Sequence, residues 1–328
     1  LCAAAYFGKY WFERPGPLET ARTLVIEEGS SVAQISSKLL SNGVIDNDMI
    51  FRAWVRAYQA QGSLRAGEYL FEPEMSMLDV METIRSGKGI LHKVSIPEGW
   101  TVFQVFERLR ENQILEGDLP EEMPAEGSLM PDTYPFQRGT TRVEVIERMK
   151  KAQSDFLAEV WERRIDGLPI STPEEMVILA SIVEKETGKA DERPRVASVF
   201  INRLNKGMRL QSDPTILYGI FGGEGKPSDR PIFKSDIETP TPYNTYTIPA
   251  LPPGPIANPG RASLEAVANP SRTEDLFFVA NGTGGHAFAK TLDEHNQNVA
   301  RWRAIEAQQK KEAEEQATSD SAESSGSD

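Results

Sequence analysis

Two glutamates, Glu184 and Glu186, stand two residues apart in the run Met176-Val177-Ile178-Leu179-Ala180-Ser181-Ile182-Val183-Glu184-Lys185-Glu186-Thr187. A carboxyl group donates a proton near neutral pH only where its surroundings disfavour the charged form. The helical period separates the two. At about 100° per residue, Leu179, Ile182 and Val183 share one face with Glu186, whereas Glu184 leaves the helix on roughly the opposite side, above Val177 and Ala180. One reaction centre therefore cannot use both. Desolvation on the apolar stripe raises the pKa of Glu186, the condition for a general acid that protonates a glycosidic leaving oxygen. The alternative is a surface glutamate in a frayed last turn, with Lys185 and Lys189 nearby.

The helix that must position Glu186 has its own start and stop signals. Thr172 is the expected cap, Pro173 suits the first helical position, and Glu175 closes a T-x-x-E box. Gly188 is the expected stop. A second helical pattern follows up to Lys206, then a Pro/Gly-rich stretch from Asp213 to Gly260. Arg203 on the second helix is expected to be solvated. A strand over Leu276 to Ala280 meets the turn Asn281-Gly282-Thr283-Gly284-Gly285, and a last helix is expected from about Leu292 to Ala307. The turn lacks the GxxxxGK[ST] pattern, which favours a hairpin over a phosphate cradle.

The first third carries an internal repeat. Leu24 to Ile45 and Val94 to Leu115 match, seventy positions apart, at Ile26/Ile96, Glu28/Glu98, Gly29/Gly99, Val32/Val102, Gln34/Gln104, Leu39/Leu109 and Asn42/Asn112. Each copy reads as a short strand, a Glu-Gly turn and an amphipathic helix. Between them, Ala66 to Phe71 and Met77 to Ile84 form a further strand–helix piece. Small modules of this kind resemble LysM, the peptidoglycan-binding module. The sequence leaves open whether they bind glycan or only scaffold.

Composition excludes several classes. The net charge of -13 argues against nucleic acid, whose phosphates need a basic surface. Cys2 is the only cysteine, which rules out an internal disulfide or a thiolate metal site, and His92, His286 and His295 have no ligand-like spacing. Neither metal nor cofactor is expected. Leu1-Cys2-Ala3-Ala4-Ala5 running into Tyr6, Tyr10 and Trp11 reads as the interfacial end of a transmembrane helix, though far short of the ~20 apolar residues that span a bilayer. A hydrophobic arm packed on the domain is the alternative. From Glu306 to Asp328 there is no large apolar residue, so this acidic tail is expected to be disordered.

The run LASIVEKETGKADERPRVASVFINRLNKGMRLQSDPTILYGI, then Thr241 to Tyr246, then Leu251-Pro252-Pro253-Gly254-Pro255-Ile256-Ala257-Asn258-Pro259-Gly260, closely resembles the YceG-like endolytic murein transglycosylases. Glu126-Gly127, Pro131 to Tyr134, Gly284 to Phe288 and Glu294-His295-Asn296 extend the likeness. The resemblance implies that Glu186, the second glutamate of the E-K-E-T run, is catalytic. Met208-Arg209-Leu210-Gln211 and Tyr243-Asn244 are similar to cleft-lining elements of other lytic transglycosylases. Gln211 and Asn244 would then bond acetamido or hydroxyl groups, Tyr243 and Tyr246 would stack on sugars, and Ser212 and Asp213 would orient Glu186 or the substrate. For each, a loop-stabilising role is the alternative.

The resulting expectation is an α+β protein, with LysM-like strand–helix modules followed by a mainly helical, lysozyme-like catalytic domain. Its stretches are the end of a membrane anchor at 1–12, a linker at 13–20, the repeat-containing domain at 21–115, the catalytic domain at 116–305 and the tail at 306–328. The resemblance implies a single-pass protein of the cytoplasmic membrane with its catalytic domain outside. It would cut the MurNAc-GlcNAc β-1,4 bond of nascent peptidoglycan strands and leave 1,6-anhydro ends. Peptidoglycan synthases are the further candidate partners. The rivals are a hydrolytic muramidase, with Asp213 as its second carboxylate, and a non-catalytic peptidoglycan-binding or divisome scaffold.

Overall fold

The computed structural model describes residues 2–227 and 230–324, with side chains over 6–227 and 230–312. It is an α+β structure whose strands form three separate antiparallel pairs. Two compact units interleave along the chain. One comprises Leu1–Ser95, Leu109–Pro120 and Thr133–Val145; the other comprises Ile96–Arg108, Glu121–Asp132 and Ile146–Asp328.

In the first unit, α1 (Cys2–Glu13) precedes β1 (Arg22–Ile26), α2 (Val32–Ser41), α3 (Asp48–Ala57), β2 (Gly67–Phe71), α4 (Met77–Ser86) and β3 (His92–Ser95). Alternation turns Leu24 and Ile26 of β1 inward, in register with Tyr69 and Gly67 of β2. Ile35 and Leu39 of α2, then Phe51 and Val55 of α3, close over them in one core. Both repeat copies take the expected form: β1 and β3 each lead through a turn into a helix, α2 and α5 (Val102–Glu111). The intervening helix α3 was not read from the sequence, and β3 finds its partner in β4 (Thr133–Phe136). Arg142 donates to the carbonyls of Leu109, Asn112, Leu115 and Gly117 at 2.7–2.9 Å, which satisfies chain-end carbonyls after α5.

Helix α1 is split in character. Phe12 is fully buried and stacks on Trp54 at 5.7 Å, whereas Tyr6, Phe7 and Tyr10 are exposed. Among the described residues no helix is long and apolar enough to cross a membrane.

The second unit is mainly helical. After α6 (Arg142–Glu162) come α7 (Pro173–Glu186), α8 (Arg193–Asn205), α9 (Asp213–Phe221), the five-residue α10 (Lys234–Glu238) and α11 (Arg261–Ala268). Strands β5 (Phe277–Ala280) and β6 (His286–Ala289) pair as a hairpin, and α12 (Leu292–Ser324) ends the described chain. Asn281 shapes the hairpin turn, its Oδ1 accepting from the backbone N–H groups of Thr283 and Gly285, as expected for a turn rather than a phosphate cradle. Leu179, Ile182 and Val183 of α7 and Val196 and Phe200 of α8 meet in the largest core.

The acidic tail from Glu306 falls largely within a helical segment. Helix α12 continues through Ser324, and residues 325–328 lie outside the described ones. Ala, Glu, Gln and Lys are strong helix formers, and Gln308 bonds Glu312 one turn on, so local propensity carries the helix. Residues 306–312 are exposed and bury nothing.

Candidate active site

Helix α7 starts as its signals predict, with one shift. Thr172 Oγ1 accepts from the Glu175 N–H and Pro173 sits in the first turn, but the Glu175 carboxylate reaches Ser171 N at 2.5 Å rather than closing the box on Thr172. The stop is not made by Gly188. The chain turns extended at Thr187, whose φ is -144°, and Glu186 is the last helical residue.

The two glutamates have separate surroundings, as their spacing requires. The side chain of Glu184 is 4% exposed and fully engaged. It accepts from Arg193 Nη2 at 3.2 Å, from Gly260 N at 2.9 Å and from Ser263 Oγ at 2.7 Å. Arg193 also donates to Glu98, and a side chain at Gly260 would collide with the Glu98 carboxylate. Glu184 is thus the anchor of a buried network that joins α7, α8 and the entry to α11.

Glu186 instead lines a cavity of about 400 Å³. Ser212, 2% exposed, donates its hydroxyl hydrogen to Oε1 at 2.5 Å. Burial pushes the Glu186 carboxyl up to about 7; the nearby Asp213 carboxylate adds to the rise, while the Ser212 hydrogen bond and the Arg203 charge oppose it. The terminal carbonyls of α7 carry partial negative charge and work in the same direction as burial. The group thus exchanges its proton near neutrality.

Of the other residues named from the sequence, Gln211, Asp213 and Tyr246 line this cavity, with Ser212 behind them. Gln211 holds a left-handed backbone, φ +52°, in which non-glycine residues are uncommon. The Tyr246 hydroxyl donates to Asp213 Oδ1 at 2.7 Å, and burial with this bond raises the phenol's pKa. Two named residues are not brought to the cavity. Asn244 is fully buried, donating to the carbonyls of Ile237 and Thr239 and accepting from Tyr246 N, the loop-holding alternative raised for it. Tyr243 lines a different cavity.

Several contributors were not singled out from the sequence. Phe277 and Phe278 of β5 and His295 of α12 complete the walls. The His295 ring stacks on Phe277 at 5.1 Å; its Nδ1 is buried without a partner, and burial beside Arg203 lowers its pKa. Its presence in the Glu294-His295-Asn296 motif was the available signal. Arg203 corrects an expectation: it is 8% exposed rather than solvated, and donates to the carbonyls of Leu276 and Leu210 at 2.6 and 2.8 Å. Its guanidinium fork satisfies two chain ends that the core would otherwise strand. Along α8, Ser198 and Asn202 bond Thr273, and Arg195 pairs with Asp275, so this helix fixes the approach to β5. Among the described residues no cluster of His, Cys, Asp and Glu suits a metal ion.

A half-buried carboxyl at a helix end, raised towards neutrality and facing a polar and aromatic cavity, has the make-up of a proton-exchanging site. Comparison narrows the class. Residues 24–301 match the model of the YceG-like family, and the chain belongs to that family. It is 33% identical to the endolytic murein transglycosylase of Bacillus subtilis, with 85% of this chain and 84% of that protein aligned. It is 28% identical to the Streptococcus pneumoniae protein of the same name, covering 92% of this chain and 62% of that longer one. A solved YceG-like protein from Listeria monocytogenes shares 31% identity over 84% of this chain and 98% of its own, with a TM-score of 0.52.

Proposed function

We propose that this chain is a peptidoglycan lytic transglycosylase that cuts the MurNAc-GlcNAc β-1,4 bond, with Glu186 as its acid/base. The observation that carries this reading is the Glu186 carboxyl, raised to about 7 at the wall of a cavity. The names of the relatives agree with it.

In this reaction protonated Glu186 donates to the leaving glycosidic oxygen as the C1–O bond breaks. The resulting carboxylate takes the proton from the C6 hydroxyl of MurNAc, whose oxygen bonds to C1 and closes a 1,6-anhydro ring. One carboxylate suffices, because the nucleophile belongs to the substrate. The Ser212 bond fixes Oε1, which leaves Oε2 to carry the proton. Arg203 steadies the transient carboxylate. Gln211, Asp213 and Tyr246 hold the sugar at the cleavage point, and no cofactor takes part.

The remaining parts of the reading follow the same logic. The β1–α2–α3–β2 order with its antiparallel pair supports a LysM-like glycan-binding module, and the helical second unit a lysozyme-like catalytic domain. The exposed Tyr6, Phe7 and Tyr10 support attachment to the outer side of the cytoplasmic membrane through the N-terminal helix, beside the synthases that make new strands.

A hydrolytic muramidase is the second reading, because Asp213 shares the cavity with Glu186 and such enzymes need a second carboxylate. Mass spectrometry of products from uncrosslinked glycan strands decides. Anhydro ends support the transglycosylase, reducing ends the hydrolase, and binding without products a scaffold. Glu186→Gln should lower turnover at least ~10²-fold, as for a lost general acid.

A further inference from the structure

A second cavity, of about 680 Å³, opens in the same unit and shares no lining residue with the first. Its walls include Gln153 of α6, Val177 of α7, Ser128, Tyr243, Pro253 and Pro255. Val177 lies nine residues before Glu186, about half a turn away around the helix axis, so this cavity faces another side of α7.

Two buried oxygens at this cavity have no hydrogen-bond partner, Gln153 Oε1 and Ser128 Oγ. Gln153 is 3% exposed, and its amide nitrogen is committed to the Gly127 carbonyl at 3.0 Å, which fixes the amide's orientation and leaves Oε1 as an acceptor. A buried acceptor without a donor is destabilising, so a ligand N–H or O–H is favoured there. The rest of the wall is mostly apolar and flat-faced, with Glu126, Lys150 and Glu174 as its charged members. The Tyr243 ring lies 4.9 Å from that of Tyr218, and Gly254 keeps the space beside its hydroxyl, where a Cβ would approach to 3.1 Å. An aromatic ring, proline faces and a fixed amide acceptor fit an acetamido sugar: C–H groups against the ring, an N–H or hydroxyl on the amide oxygen.

The two cavities are joined by one short piece of chain. Tyr246 lines the Glu186 cavity and Tyr243 the second, three residues or at most ~10 Å of backbone apart. Asn244, buried between them, holds the segment through its bonds to Ile237 and Thr239. We propose that the second cavity is a distal glycan subsite, which holds an N-acetyl sugar of the same strand whose glycosidic bond lies at Glu186. This rests on the glycan-cleaving reading and adds a length requirement to it. A strand that fills both cavities is held better than a short one, and the cut falls at a set distance from the anchored sugar.

The test uses the full chain with uncrosslinked glycan strands of graded length, and N-acetylglucosamine oligomers as binding probes for Glu186→Gln. Affinity should step upward at the length that reaches Gln153, and the Gln153 side-chain amide resonance should shift only with oligomers of that length or more. Ser128→Ala, a mild change, and Gln153→Leu should each lower kcat/KM on long strands up to about tenfold, with a smaller effect on the shortest cleaved strand. If Gln153→Leu does not fold, Ser128→Ala and the amide resonance carry the test. Anhydro products with no length step and no amide shift would overturn the subsite while leaving the reaction intact. Absence of any glycan product would remove both.

Discussion

Ser212 holds Oε1 of Glu186 from a position that is itself 2% exposed, so the hydrogen bond between them acts without competition from water. It stabilises the carboxylate against the burial that favours the acid. In Ser212→Ala the Glu186 pKa should therefore rise further above 7. A general acid must be protonated, so activity falls as pH climbs through its pKa, and this alkaline limb should move to higher pH in the variant. The pH profile of kcat/KM measures the shift; a limb that stays in place would show that another group controls it.

Burial of Glu186 also opposes folding once the carboxyl ionises. Its folded pKa of about 7 lies above the unfolded value near 4.5, so the native state binds the proton more tightly. This contribution to stability should be fully present below about pH 4.5 and be lost as pH rises through about 7, by on the order of 3 kcal/mol. Glu186→Gln removes this ionisation. Thermal melts should show the variant more stable than the parent at pH 8, with the difference fading by pH 4.

Glu184→Gln should behave in the opposite manner. It leaves Arg193 with Glu98 alone and weakens the bonds to Gly260 and Ser263, which should cost roughly 3 kcal/mol. Rate per folded molecule should change little. A dead but fully stable Glu184→Gln, beside an active Glu186→Gln, would reverse the assignment of the two carboxylates.

Asn244→Ala strands the carbonyls of Ile237 and Thr239 in a fully buried site, a loss of about 2–3 kcal/mol. Its melting temperature should fall by several degrees. A normal melt together with a raised KM would instead give Asn244 a direct role in binding sugar.

The position of Glu186 was legible because helical period alone separates it from Glu184, and Leu179, Ile182 and Val183 do pack in the core beside it. The repeat was legible because strand alternation and a Glu-Gly turn recur at matched positions. Arg203 was misread for a reason local patterns cannot supply. Its partners are carbonyls of Leu210 and Leu276, and the second is more than seventy residues away. Tyr243 and Asn244 show the same limit. Adjacent in sequence, they point to a cavity wall and to the interior, a choice made by the loop's own turns. Helix α3 was passed over although Ile50, Phe51, Trp54 and Val55 recur at helical spacing, because the reading followed the repeat on either side of it.

The rungs from α8 to the approach of β5 have one more consequence. Helices α7 and α8 share a core, and through Arg195, Ser198, Asn202 and Arg203 the second helix also carries the strand that brings Phe277 and Phe278 to the cavity. Glu186 and the aromatic wall are therefore mounted on a single chassis. Loosening this core to suit heat or cold would displace Glu186 together with Phe277 and Phe278. The freedom to adjust lies instead in exposed positions such as residues 306–312 of α12, which bury nothing and line no part of this cavity.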